Sequence, residues 1–151
     1  MKLKDEKIHT IGYQGRSIGS FIEILSENLI DILVDIREKP YSRIKDFSSK
    51  KLAAHLAGTN IEYLHLPRLG SSQNLRHKVR SDHDYDYFFK EYNKYLSTQS
   101  NTLTDLYNLS INKTICLMCV ESDYNICHRR SVAEKLLEFS GKEGTFSLNH
   151  L

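Results

Sequence analysis

The residues best suited to chemistry cluster near the carboxyl end, where Cys119, Glu121, Cys127, His128, Arg129 and Arg130 all fall within residues 119–130. A cysteine that ends a strand and leads through a polar loop into a helix meets the helix's partial positive charge. That charge and nearby arginines lower a thiol pKa. A free thiol near pKa 8.5 is only a few per cent thiolate at pH 7, and a drop of about two units needs roughly 2.7 kcal/mol of differential stabilisation. Two cations and a helix end supply that order of energy. Cys119 therefore reads as a candidate nucleophile and Glu121 as a candidate base or nucleophile. Cys127, His128, Arg129 and Arg130 read as substrate-binding. The competing reading makes Cys119 a small buried core residue, as free cysteines often are. Cys116, in mid-strand, is read as core.

The same cysteines raise a metal reading. Cys116 and Cys119 have knuckle spacing, but an offset of three in a strand points their side chains to opposite faces, so that pair does not chelate. Cys119, Cys127 and His128, with Glu121 as a fourth ligand, make a donor set if the loop folds back. Their spacing matches no common zinc module. The leading reading therefore assigns no metal and no cofactor.

Two further groups point the same way. Asp35 and Arg37 end an otherwise apolar run and share a face if the strand persists. Asp35 reads as a base, an arginine holder or a ribose ligand, against the alternative of a structural ion pair. Residues 68–80 read as a long polar loop carrying Arg68, Arg76, Lys78 and Arg80. With Arg37, Arg43, Arg129 and Arg130 they would form a positive pocket for a phosphate, a nucleotide or a nucleic-acid backbone.

Alternating strands and helices must position these groups. Residues 8–13, 32–37, 61–66 and 114–120 have strand character, and 145–148 add a short fifth strand. Helical spacing covers residues 17–28, a segment around 51–56 closed by Gly58, 84–96 and 103–109. The last helix is expected over 131–139, with Ser131 and Glu134 as its capping box and Gly141 just past its end. Aromatics Tyr85, Phe88, Phe89, Tyr92 and Tyr95 have helical spacing and read as core. Strands separated by helices of this length make right-handed βαβ units around a mostly parallel sheet. The expected fold is a single three-layer α/β domain over residues 1–151, with its site beyond the carboxyl ends of the strands.

Composition bounds the function. The chain has 151 residues, 40% hydrophobic and 26% charged, which is ordinary globular composition. A chain of that length buries roughly 70% of its unfolded surface without disulfides or metal. No apolar run approaches the ~18 residues of a membrane span, and the first residues lack a signal-peptide core. The net charge of +2, from 21 basic and 19 acidic residues, excludes a strongly polybasic protein but not a local basic patch. Three cysteines without a framework spacing suggest a reducing cytoplasm. Nothing in the sequence sets an oligomeric state.

Along nearly its full length the chain resembles the DUF488 family. The marks are Thr10-Ile11-Gly12-Tyr13, Val34-Asp35-Ile36-Arg37 with Pro40 and Ser42, and Ile61 to Pro67 with Leu69-Gly70. The last is Leu117-Met118-Cys119-Val120-Glu121 leading to Cys127-His128-Arg129-Arg130. The family often has Ala where this chain has Val120, and His-Ser where it has Tyr13-Gln14. The resemblance implies a small cytoplasmic α/β protein, links it through some members to nucleic-acid processing, and adds Tyr13, Ser42 and Gly70 to the substrate-binding set. Two segments also resemble rhodanese-like domains: Leu33 to Glu38, and Ile115 to Cys119 followed by Arg130-Ser131-Val132-Ala133. A phosphatase-type Cys-x5-Arg is absent, since Asn125 stands where the arginine would be. The sequence thus points to an enzyme acting on an anionic, nucleotide- or nucleic-acid-related substrate, with Cys119, Glu121 and Asp35 as its catalytic candidates. A non-catalytic nucleic-acid-binding module and a Cys/His metal site are the alternatives.

Overall fold

A computed structural model describes residues 7–140 and 147–151. Five strands, β1 (Lys7–Gly12), β2 (Ile32–Asp35), β3 (Glu62–His65), β4 (Ile115–Cys119) and β5 (Ser147–His150), form one all-parallel sheet in the order β3-β2-β4-β1-β5. Between them lie α1 (Ile18–Glu27), α2 (Ser49–Ala57), α3 (Gln73–Asp82), α4 (Tyr85–Leu96), α5 (Ser100–Asn112) and α6 (Arg129–Ser140). Among the described residues no helix is long and apolar enough to cross a membrane.

Strand alternation splits the core into two layers. Ile32, Val34, Ile115 and Leu117 face one cluster, shared with Tyr92 and Leu96 of α4, Leu103 and Leu106 of α5, and Val132 and Leu136 of α6. Leu33, Cys116 and Met118 face the other, shared with Phe21 and Leu25 of α1 and Leu52 and Leu56 of α2. Every residue of β2 and β4 is buried, which is why both read as continuous apolar runs rather than alternating ones. Each fully buried Leu or Phe contributes about 1.5–3 kcal/mol, so these two layers hold the fold. Cys116 is fully buried in the second layer, as its mid-strand position requires.

The chain first winds toward β3 on one face through α1 and α2. It then returns on the other face through α3, α4 and α5 to place β4 between β1 and β2. The winding direction reverses there, so the carboxyl ends of β1, β2 and β4 open onto a common crevice. Register sets Gly12 beside Cys119 and Asp35 beside Met118. A Cβ on Gly12 would stand 1.7 Å from the Glu121 carbonyl oxygen, so glycine is what lets the loop after β4 lie across β1. A Cβ on Gly70 would stand 2.2 Å from the Glu38 backbone nitrogen, and it likewise lets the exits of β2 and β3 meet.

Several elements differ from expectation. Part of the expected loop 68–80 is helix: Pro67–Leu69 is a 3-10 turn, and Ser72 caps α3 by accepting from the Leu75 N–H at 3.2 Å. α3 buries no residue, so it carries no apolar stripe to read. α5 is longer than expected. α6 begins at Arg129, which places Ser131 inside the first turn, buried, rather than at the cap. β5 lies at Ser147–His150, while Gly141 and Thr145 fall outside the described residues. Of the aromatic set, Phe88 and Tyr92 are core, whereas Tyr95 is 39% exposed.

Candidate functional site

A cavity of about 430 Å³ opens at the carboxyl ends of the strands. Its walls come from the exit of β2 (Arg37, Glu38), Ser71 just before α3, α3 itself (Gln73, Arg76, Arg80), α4 (Tyr85, Phe88) and the β4 loop (Cys119, Glu121, His128). Such a volume lies within the usual range of small-molecule pockets, about 300–1,000 Å³.

Arg37 reaches this cavity from a fixed position. Asp35, fully buried, accepts from its Nε at 2.9 Å and its Nη2 at 2.7 Å, a bidentate pair. Tyr63 donates its hydroxyl to Oδ2 of the same carboxylate at 2.5 Å. Burial, and then the hydrogen bond to Asp35, raise the Tyr63 pKa, so the phenol remains a donor. Burial alone would lower the Arg37 pKa, but the hydrogen bonds and charge of Asp35 outweigh it and raise it. Nη1 of Arg37 meets the Tyr13 hydroxyl at 3.4 Å.

Arg129, 1% exposed, is held differently. Its Nε donates to Thr10 Oγ1 at 3.2 Å, its Nη2 to the Ser122 carbonyl at 3.2 Å, and its Nη1 to the Glu121 carbonyl. Nη1 also lies 3.3 Å from Cys119 Sγ. Among the described residues no carboxylate lies within ion-pair distance of it. Burial lowers its pKa, opposed by the Glu121 charge. Arg129 thus staples the β4 loop over the strand ends.

The loop folds back through a 3-10 turn at Tyr124–Ile126, which brings Cys127 to Cys119, and the two sulfurs are joined as a disulfide. His128 is buried beside them, and its Nε2 lies 2.7 Å from the Ile36 carbonyl. A carbonyl only accepts, so Nε2 carries the proton. Burial pushes the His128 pKa down to about 4, leaving the imidazole neutral. Glu121 Oε2 stands 3.6 Å from Cys119 Sγ.

Of the residues expected from sequence, Arg37, Cys119, Glu121 and His128 line the cavity together. Cys127 does not line the cavity and is tied to it through Cys119. Asp35 and Tyr13 do not line the cavity and contact it through Arg37. Gly70 and Ser42 shape the neighbouring loops, where Ser42 Oγ accepts from the Ile44 N–H at 3.1 Å. Arg130 points away, pairing with Glu134 at 3.3 Å and lying over the Phe89 ring. Of the expected basic rim, Arg37, Arg76 and Arg80 reach the cavity, while Arg43, Arg68, Lys78, Arg129 and Arg130 do not.

Sequence reasoning missed Ser71. It is 1% exposed and lines the cavity, and its hydroxyl is the one buried side-chain polar atom without a hydrogen-bond partner among the described residues. Such an atom is costly unless a ligand or water meets it. Its only signal in the sequence was its place between Gly70 and the cap Ser72. Tyr85 and Phe88 were also missed as cavity wall, because their helical spacing reads as core.

The sequence profile of the family described as "Domain of unknown function DUF488" matches residues 17–136. No curated protein and no solved structure matches the chain.

Proposed function

The chain belongs to the DUF488 family, whose description assigns no function, and from that premise we propose that it is an enzyme acting on a phosphate-bearing, nucleotide-like small molecule. The observation that carries this reading is the convergence of Arg37, Arg76 and Arg80 with the unpartnered Ser71 hydroxyl on one cavity. Three guanidiniums and a free hydroxyl are the donors a phosphate needs. Arg76 is positioned by the Ser71 carbonyl and by Glu38 at 3.4 Å. The rings of Tyr41, Tyr85 and Phe88 supply an apolar wall for a base or other flat group.

In this reading Glu121 carries the proton transfer or forms the covalent intermediate, which suits glycosyl transfer or hydrolysis. Asp35 is a positioning residue: both its oxygens are committed to Arg37 and Tyr63. Cys119 is committed to Cys127 and acts as a nucleophile only once reduced. A concave pocket rather than an exposed basic stripe favours a small molecule over a nucleic-acid backbone.

The test is calorimetric titration with inorganic phosphate and nucleoside monophosphates, followed by chromatography for released base. Nucleotide is expected to bind more tightly than phosphate, with affinity falling about tenfold in Arg76→Ala, the loss of one charge-assisted contact of ~1.5 kcal/mol. Glu121→Gln is expected to bind but not turn over. Absence of binding at millimolar nucleotide overturns the proposal.

A further inference from the structure

We infer that Cys119, Cys127 and His128 form a buried site for a zinc-type divalent ion, open to the cavity on one side, when the two cysteines are reduced. The ligand atoms of these three residues all lie within 4.8 Å of one another, and all three residues are buried. Two sulfurs and one imidazole are the soft, borderline donors that zinc takes, and three protein ligands with a fourth position open is the pattern of reactive zinc sites.

The surroundings are those of a metal-binding histidine. Nε2–H of His128 is engaged by the Ile36 carbonyl at 2.7 Å, so the lone pair is on Nδ1. Metal-ligating histidines typically donate their other ring N–H to a carbonyl or carboxylate in this way. The Cα atoms of Cys119 and Cys127 stand 7.4 Å apart, wider than the 4.4–6.8 Å that disulfides usually span. That spacing accommodates two thiolates about 3.7 Å apart, the separation set by zinc–sulfur bonds of ~2.3 Å at a tetrahedral ion. Arg129 Nη1, 3.3 Å from Cys119 Sγ, then donates to a thiolate rather than to a neutral sulfur.

Cys119 and His128 line the cavity, so the open position faces it. Glu121, with Oε2 at 3.6 Å from Cys119 Sγ, would be the carboxylate nearest to accept a proton from water at the open position, the chemistry such an ion would supply. Binding releases the two thiol protons to solvent. The site borders the proposed phosphate pocket but does not depend on an anion binding there.

The experiment is metal analysis of the full chain purified with reductant and without chelator, followed by exchange of the ion for cobalt(II). One ion per chain is expected, with thiolate-to-cobalt charge-transfer absorption and visible bands of tetrahedral intensity. Cys119→Ser and Cys127→Ser each lose both signals, while Cys116→Ala keeps them. Arg76→Ala keeps the ion even as it loses phosphate, which separates this site from the anion pocket. The inference is overturned if the reduced wild-type chain takes up no zinc or cobalt, or if bound cobalt shows no thiolate charge transfer. It is also overturned if removing reductant re-forms the disulfide at the same rate with and without zinc. These readouts use the wild-type chain, so a variant that fails to fold leaves the test intact.

Discussion

Arg37 and Arg129 are both buried arginines at the carboxyl end of the sheet, 5% and 1% exposed, yet they are neutralised in opposite ways. Arg37 faces a carboxylate that grips it with two hydrogen bonds, and Asp35 and Arg37 stand or fall together. Arg129 is surrounded by two backbone carbonyls, a hydroxyl and the sulfur of Cys119, with no carboxylate in ion-pair reach among the described residues. A buried cation without a full counter-charge is costly, and a thiolate at Cys119 would provide one. The β2 exit is therefore electrostatically closed, whereas the β4 exit is complete only when something negative forms beside it. Under the proposed function, reactivity belongs at the second place.

The largest effect that tests this contrast is on stability. Arg37→Met strands the Asp35 carboxylate in the interior and is expected to cost about 3–5 kcal/mol in urea denaturation. Asp35→Asn should cost a similar amount by stranding the cation. Combining Asp35→Asn with Arg37→Met removes both charges and should recover much of the loss, since replacing a buried pair by neutral groups is often close to neutral. Additive losses in the double variant would mean the pair is not the closed unit described.

Arg129→Met should cost less, about 1–3 kcal/mol, because it leaves carbonyls rather than a charge unsatisfied. Ser122 is exposed, so water reaches part of what is lost. In reduced protein the variant should slow alkylation of Cys119 at pH 7 while Arg37→Met leaves it unchanged. Equal effects on the thiol from both arginines would erase the distinction between the two exits.

The contrast was only half legible in the sequence. β2 ends at Asp35, short of the expected residue 37, but Arg37 follows only two residues on, so their pairing is local and could be read as one alternative. The partners of Arg129 are a hydroxyl 119 residues away on β1 and the backbone of a loop, and backbone acceptors leave no mark on side-chain identity. Strands β2 and β4, and the helix now called α4, were readable because burial imposes period and apolar content. α3 reads as loop because it buries nothing, so Arg76 and Arg80 are expected at the pocket on a loop rather than a helix, and Ser71 just before it is not singled out. Elements that hold the fold write themselves into hydrophobic patterning, and elements that only line a cavity do not.

A smaller effect probes the closed exit alone. Tyr63→Phe removes one donor from Asp35 and keeps both Arg37 contacts. About 1 kcal/mol should be lost, with anion affinity unchanged, because the guanidinium stays in place. A severalfold drop in affinity would show that Tyr63 helps aim Arg37.

The smallest expected effect separates neighbours in sequence. Arg129 points inward, but Arg130 pairs with Glu134 one helical turn on and lies over Phe89, 4.8 Å from its centroid. An exposed i,i+4 pair is worth ~0.3–0.5 kcal/mol and an exposed cation–π contact about 0.5–1 kcal/mol. Arg130→Ala should therefore shift stability by no more than about 1 kcal/mol and leave nucleotide affinity and the chemistry at Cys119 as they are. A helix places consecutive side chains about 100° apart, so one of two adjacent arginines is able to serve the site while the other faces solvent. If Arg130→Ala weakened nucleotide binding as much as Arg76→Ala does, the ligand would extend beyond the cavity across the α6 surface. The pocket boundary would then have to move to include Phe89.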